Sequence, residues 1–240
     1  MGTRKTSQET TRGETAKAHV IPRRFCWTKF GSESGEGIEA ILARKDRERV
    51  ANGGIFLWGI GNSVGPGIRA LVRLESEPMA VFSPMRAKPK AIDTAPGRVV
   101  VWRSARGIDG NDWEIPTGSM VVSRGDSGKG TMKRTHYALV CRSDKALATN
   151  SPSTAHLSFS ALSNLVSGAP VGYSQVTSIV DYRADPGKGG PNYDVGFLAQ
   201  LVYPYFIELF DPLQMGADQL VVAATKIAAR PHRMRQLSIE

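Results

Sequence analysis

A glycine-rich turn that follows a short apolar run is the feature that most constrains how this chain folds. Residues 55–60 read Ile-Phe-Leu-Trp-Gly-Ile, and five glycines lie within residues 53–65. A short apolar run bounded by glycine is typical of a buried strand that ends in a tight loop. Glycine has no Cβ, so its backbone can approach a ligand closely. The sequence therefore predicts a shallow pocket with Trp58 at its floor and with Asn62 and Ser63 as hydrogen-bonding groups.

The charge balance indicates a polyanionic partner. The 240 residues include 31 Lys and Arg against 22 Asp and Glu, a net charge of +9. Segment 86–106 holds six basic residues and one acidic residue, and segment 124–145 holds six and two. Clustered basic side chains displace the counterions around phosphates, so we expect a nucleic acid, DNA or RNA, as partner. The alternative is a basic surface that serves solubility alone. The predicted phosphate contacts are Arg98, Arg103, Lys129, Lys133 and Arg134.

Three of the four tryptophans lie in or beside strand-like segments. They are Trp27, Trp58 and Trp102, and each has a basic or polar residue close by in the sequence. Aromatic planes beside cations are suited to stacking on nucleic-acid bases. Three such rings converging would form a cage for a flipped or modified base. The alternative for any one of them is burial in the core. The predicted base-binding pocket consists of Trp27, Lys29, Trp58, Asn62, Ser63 and Trp102.

The order of predicted elements divides the chain into three parts. Residues 1–20 read as a disordered basic tail, 21–145 as a β-barrel domain, and 146–240 as a C-terminal α/β extension that packs on the barrel. Many short strands with few helices favour an α+β fold built on a partly open β-barrel flanked by helices. Alternating strand and helix units are absent from the pattern, which argues against a doubly wound sheet.

Local periodicity gives more specific expectations. Residues 38–52 predict an amphipathic helix whose apolar stripe includes Val50 and whose charged run 44–49 faces solvent. Alternation over Ile68 to Glu75 predicts a strand. The apolar spacing predicts helices over 157–166 and 213–229, and strands over 195–202 and 205–210.

The residues that carry most enzyme chemistry do not form a recognisable pattern. Two cysteines, Cys26 and Cys141, stand far apart among strand-like residues, which predicts buried free thiols in a reducing compartment. Four scattered histidines give no metal-ligand spacing. We therefore predict no catalytic residue, cofactor or metal. The longest apolar run is about 7 residues against the roughly 20 that span a bilayer, so we expect a cytoplasmic protein without a membrane segment.

The order of elements in the first half resembles the PUA-like superfamily, and within it the EVE and YTH-type domains. The similarity covers residues 24–142 and rests on a Trp27-Thr-Lys29 strand, a helix over 38–52, and a Phe56-Leu-Trp58 strand that meets a Gly/Asn/Ser loop. In the same order, a predicted strand over Ile68 to Glu75 follows that loop. The resemblance implies a compact β-barrel that seats a modified or flipped base in an aromatic pocket. On the matching positions, Trp27, Lys29, Trp58, Asn62 and Ser63 would line that pocket. The family's expected Glu-Pro after the Lys29 strand is missing, and residues after 145 have no counterpart.

Two other classes of function stay open at this point. The first is an enzyme acting on nucleic acid or nucleotides, with Lys29, Asp109, Asp112 or His136 as the chemical group. The second is an assembly subunit whose apolar C-terminal segments, 195–210 and 213–229, bury against a protein partner.

Overall fold

The computed structural model describes most of the chain between residues 21 and 213. The described ranges are 21–31, 37–61, 64–85, 98–123, 135–148, 155–183 and 191–213. The predicted basic tail and the predicted helix over 213–229, apart from Leu213, lie outside these ranges.

The described chain is mixed α+β, with mostly sheet and two α-helices. The helices are α1 (Ile38–Ala51) and α2 (Gly65–Leu74). The strands are β1 (Arg24–Phe30), β2 (Ile55–Ile60), β3 (Met79–Pro84), β4 (Arg98–Gly107), β5 (Asp112–Trp113), β6 (Val121–Ser123), β7 (Thr135–Arg142), β8 (His156–Ser158), β9 (Leu162–Asn164), β10 (Thr177–Tyr182), β11 (Asn192–Asp194) and β12 (Phe197–Leu213).

Ten of these strands form one sheet. Its main order is β2-β7-β12-β3-β1-β10-β9, and β4 pairs with β12, β5 and β6. Strands β1 and β3 are parallel, and the other pairs are antiparallel. Strands β8 and β11 form a separate two-stranded sheet. The pairing among the described strands does not close a barrel, which is compatible with a partly open β-sheet fold.

Strand β12 joins the two halves of the sheet. Its first residues, 197–200, pair with β3, and residues 207–213 pair with β4. It pairs with β7 on both sides of an irregularity between Leu201 and Phe206. The two strands expected over 195–202 and 205–210 are therefore parts of one long strand.

Strand alternation separates three apolar clusters. Side chains of one face, including Trp58, Phe82 and Phe197, pack with residues of α1 and α2. The opposite face carries two clusters, one around Trp27 on the β1 side and one around Trp102 on the β4 side. Each cluster draws residues from distant parts of the sequence.

Two secondary-structure predictions are wrong, one of a strand and one of a helix. Residues 65–74 form helix α2 rather than a strand, because Pro66 suits the first helical turn and Ile68, Leu71 and Val72 follow helical spacing. Residues 157–166 form β8, a 3₁₀ turn at Phe159–Ala161 and β9 rather than a helix.

Helix α1 exists as predicted, but its orientation differs. Val50, expected in the apolar stripe, is 69% exposed, whereas Arg44, Lys45 and Glu48 are buried. Lys45 Nζ lies 2.8 Å from Glu48 Oε2 and donates to the Met120 carbonyl at 2.7 Å. These three charged side chains point towards the protein interior because their hydrogen-bonding partners lie there.

The predicted boundary at residue 145 runs through a single sheet. Strand β10 pairs with β1, and β12 lies between β3 and β7. The segment expected as a flanking extension therefore supplies interior strands.

Cys26 and Cys141 are free and buried, as predicted. Burial raises the pKa of both thiols above the ordinary value. Neither described helix is long and apolar enough to cross a membrane.

Candidate functional site

The structure surrounds one lysine with aromatic rings. Trp27 and Lys29 stand two residues apart on β1 and project from the same face of the sheet. The Lys29 ammonium nitrogen lies 5.2 Å from the ring centroid of Trp27, 5.2 Å from that of Tyr173 and 5.1 Å from that of Tyr193. Phe159 extends the group, 5.6 Å from Tyr173 and 5.8 Å from Tyr193 between centroids. We call these five residues the Lys29 cluster.

The Lys29 ammonium is held without a negative charge beside it. Only 7% of the residue is exposed, and Nζ donates to the Tyr173 carbonyl oxygen at 2.7 Å. Among the described residues, no carboxylate lies within ion-pair distance of Nζ. Burial lowers the pKa of Lys29 below its ordinary value. The three ring faces favour the charged form, because a cation is attracted to the negative face of an aromatic ring.

Separate elements fix the walls of the cluster. The Trp27 indole Nε1 donates to Ser83 Oγ on β3 at 3.0 Å, which sets the ring orientation. Tyr193 lies on β11, opposite Leu157 of β8, and its ring meets Trp27 at 5.1 Å in an edge-to-face arrangement. Burial together with a hydrogen bond to Tyr173 raises the pKa of Tyr193 to about 12. Trp27 is thus held against β3 of the main sheet, and Tyr193 is carried by the two-stranded sheet of β8 and β11.

Tyr173 forms the solvent side of the cluster. Tyr173 is 67% exposed and belongs to an exposed turn, residues 172–175. The main-chain N–H of Gln175 donates to the main-chain carbonyl of Gly172 and closes this turn. A ligand arriving from solvent therefore meets a free aromatic face with a buried cation behind it. This arrangement attracts groups that accept hydrogen bonds and repels cations.

The predicted tryptophan pocket does not assemble. Trp58 is buried on the helix-covered face, 4.7 Å from Phe82 and 5.5 Å from Phe30 between centroids. Trp102 is buried in the third cluster, stacked on His136 at 6.0 Å. Strand alternation directs Trp27 and Trp58 to opposite faces. Among the predicted pocket residues that the structure describes, only Trp27 and Lys29 therefore come together.

Most of the remaining predicted contacts lie outside the described residues. These are Asn62, Ser63, Lys129, Lys133 and Arg134. Arg98 begins β4, and the position of its side chain is also outside the described structure. Arg103 lies on the same strand and is exposed, as a phosphate contact requires.

The groups considered for an enzyme lie in separate environments. Asp109 accepts hydrogen bonds from the Tyr203 hydroxyl and from Asn111, which lower its pKa. Asp112 is exposed and lies 3.8 Å from Arg106. His136 stacks on a buried tryptophan. Within the described ranges, no group of three or more His, Cys, Asp or Glu side chains is arranged to hold a metal ion.

Phe159, Tyr173 and Tyr193 are the site residues that sequence reasoning missed. All three come from the predicted C-terminal extension, residues 146–240, in short segments rich in Gly, Ser, Pro and Asn. Their only sequence signal is an aromatic residue inside a short polar stretch, as in Gly-Tyr-Ser and Asn-Tyr-Asp.

Comparison with known proteins finds no matching family model, no matching curated protein and no matching solved structure.

Proposed function

We propose that this protein binds single-stranded nucleic acid and seats one base at the Lys29 cluster. The observation that carries the proposal is Lys29, a residue only 7% exposed whose ammonium is held by aromatic rings and lacks a carboxylate partner among the described residues. A base has a flat face, so it can stack on the exposed ring of Tyr173, and the ammonium behind that ring adds positive charge to a site that would face a polyanion.

The charge of the whole chain supports the same partner. A net charge of +9 favours association with phosphates at low salt. Such contacts hold the backbone of the strand and do not distinguish bases. In the proposal, surface arginines such as Arg103 hold the backbone, and the Lys29 cluster contacts the base.

We also propose a PUA-like relationship for residues 24–142. The order strand β1, helix α1, strand β2 supports it. Helix α2 stands where the expected order had a strand, so the proposal rests on residues 24–60.

The assembly hypothesis has less support from the described residues. The apolar side chains of 197–210 are used within the sheet, where β12 pairs with β3, β7 and β4. Their hydrophobicity is therefore explained by the fold and does not require a partner.

Fluorescence anisotropy with short labelled DNA and RNA, single-stranded and double-stranded, at two salt concentrations tests the proposal. We expect binding that weakens as salt rises. Tyr173→Ala removes the exposed ring and should weaken binding by about 5- to 150-fold, the equivalent of about 1–3 kcal/mol for one stacked base.

Tyr203→Ala is the matched control, because Tyr203 is also an exposed tyrosine, 61% exposed, outside the Lys29 cluster. It should leave the affinity within twofold of the unmodified protein. If Tyr173→Ala and Tyr203→Ala bind equally well, the Lys29 cluster is not the base site. If the unmodified protein binds no oligonucleotide at low salt, the proposed function is wrong.

A further inference from the structure

A shallow open pocket lies at the start of β1, at the other end of this strand from Lys29. It measures about 520 Å³ and is lined by Ile21, Arg23, Tyr182 and Arg183. A volume of this size is typical of sites that bind a small molecule or one part of a larger ligand. We call it the β1 pocket.

Main-chain hydrogen bonds fix the positions of the two arginines. The Tyr182 N–H donates to the Arg23 carbonyl at 2.7 Å, where the end of β10 lies beside the start of β1. The Arg183 N–H donates to the Ala161 carbonyl at 3.1 Å. Both guanidinium groups therefore extend from neighbouring, hydrogen-bonded strands into one pocket.

One carboxylate orients both guanidinium groups. Asp181 Oδ1 accepts from Arg23 Nε at 3.0 Å, and Asp181 Oδ2 accepts from Arg183 at 3.3 Å. The hydrogen bond from Arg23 holds the pKa of Asp181 below its ordinary value, so this carboxylate is charged at neutral pH. Glu75, which also attracts Arg23, is paired with Arg24 at 3.0 Å. Three arginines against two carboxylates leave one net positive charge at the pocket.

The two guanidinium groups are accessible and have hydrogen-bonding capacity left. The side chain of Arg23 is 56% exposed and that of Arg183 is 74% exposed. A guanidinium has five N–H donors in a planar fork. Within the described part of the chain, Asp181 accepts two N–H groups of Arg23 and one of Arg183. Each arginine therefore has donors for a ligand that enters the pocket.

We infer that the β1 pocket binds a terminal phosphate monoester of a nucleic-acid strand, an inference that rests on the proposed binding of single-stranded nucleic acid. A guanidinium fork matches two phosphate oxygens at once. A terminal phosphate offers three oxygens and a charge of about −1.5 to −2 at neutral pH, so two forks can share it. A phosphate inside the strand has two free oxygens and one charge, and it fits two forks less well.

The β1 pocket and the Lys29 cluster lie on the same side of the sheet. Ile21 and Tyr182 of the pocket pack against the same apolar cluster as Tyr193 of the Lys29 cluster. Arg23 lies six residues before Lys29, a separation of about 20 Å or less along an extended strand. One bound strand can therefore place its end in the pocket and an inner base on the exposed ring of the Lys29 cluster.

The test uses short single-stranded DNA and RNA of one sequence, labelled at an inner base so that both ends are free. The ends carry hydroxyl groups alone, a 5′-phosphate, a 3′-phosphate, or either phosphate capped as a methyl ester, and anisotropy gives each affinity. We expect a phosphate at one of the two ends to raise the affinity about fivefold, as two exposed charge contacts would. The methyl cap removes one free oxygen and part of the charge, so it should abolish most of this gain.

Substitution of the arginines locates the phosphate. Arg23→Gln and Arg183→Gln should each remove the gain, measured as the ratio of affinities with and without the terminal phosphate. Arg142→Gln is the matched control, because Arg142 on β7 is 52% exposed and also lies beside an aspartate, 3.5 Å from Asp144. This control lowers the net charge equally and should preserve the ratio. Circular dichroism of each variant establishes that it is folded before affinities are compared.

The outcomes distinguish the two proposals. Equal binding of oligonucleotides with hydroxyl and phosphate ends overturns the terminal-phosphate site and leaves nucleic-acid binding intact. A gain that survives the methyl cap, that persists in both pocket variants, or that Arg142→Gln also loses, overturns it as well. Absence of binding by the unmodified protein at low salt removes both proposals.

Discussion

At Lys29 the fold buries a positive charge with no carboxylate from the described part of the chain within ion-pair distance. Removing an ammonium from water is costly, and the three ring faces and the Tyr173 carbonyl offset only part of that cost. A methionine would fill a similar volume without this penalty. Packing alone therefore gives no reason for a lysine here, whereas recognition of an acceptor-rich ligand does.

Lys29→Met should stabilise the free protein at neutral pH, and the gain should shrink as the pH rises. Because the pKa of Lys29 is lowered in the folded state, folding at pH 7 carries the cost of a desolvated charge. As the pH rises from the folded-state pKa towards about 10.4, that of an unfolded lysine, the folded protein loses the proton first and the cost disappears. Denaturant unfolding of both proteins at pH 7 and pH 10 measures the difference.

Lys145→Met provides the control, because Lys145 is exposed. Its effect on the free energy of unfolding should be within about 0.5 kcal/mol and independent of pH. A Lys29→Met variant that is less stable than the unmodified protein at pH 7 would show that the rings stabilise the cation more than burial destabilises it.

At the scale of elements, α1 connects two strands through side chains. Glu48 Oε1 accepts from the Leu57 amide of β2 at 2.7 Å, and its other oxygen meets Lys45, which donates to the Met120 carbonyl just before β6. The edge of β2 and the start of β6 are thus joined through this ion pair. Main-chain groups at a sheet edge need such partners, so the pair completes the local hydrogen bonding.

Glu48→Leu should be strongly destabilising, by about 3–5 kcal/mol, because it leaves the Lys45 charge buried and unpaired. The double variant Lys45→Met with Glu48→Gln removes both charges and keeps an acceptor for the Leu57 amide. The double variant should lose less than half as much free energy of unfolding as Glu48→Leu. Denaturant unfolding of both variants measures the difference. Glu39→Gln, an exposed change in the first turn of the same helix, controls for loss of a carboxylate. Equal losses in the single and the double variant would contradict this role for the charge pair.

These elements also show where sequence reasoning reached its limit. The alternation of residues 68–75 fits a strand, but Ile68, Leu71 and Val72 fit a helix equally well, and only packing against the sheet decides. The charged run of α1 looks solvent-exposed until β2 and Met120 provide partners. The pairing of Trp27 with Lys29 was predictable because period-2 alternation places them together. Tyr173 and Tyr193 were not predictable, because a turn and a short strand far along the chain bring them there.

At the scale of the whole molecule, one sheet makes the first and last parts of the described chain interdependent. Strand β12 fills the position between β3 and β7, and β10 covers the free edge of β1. A chain ending at residue 145 would leave both positions empty, exposing main-chain groups and the apolar residues that Phe197 and Ile179 cover. We therefore expect this truncated chain to show no cooperative thermal transition by circular dichroism and no dispersed amide spectrum by NMR, whereas the full chain shows both. Cooperative unfolding of the truncated chain would instead establish residues 21–145 as an independent domain with β12 as an addition.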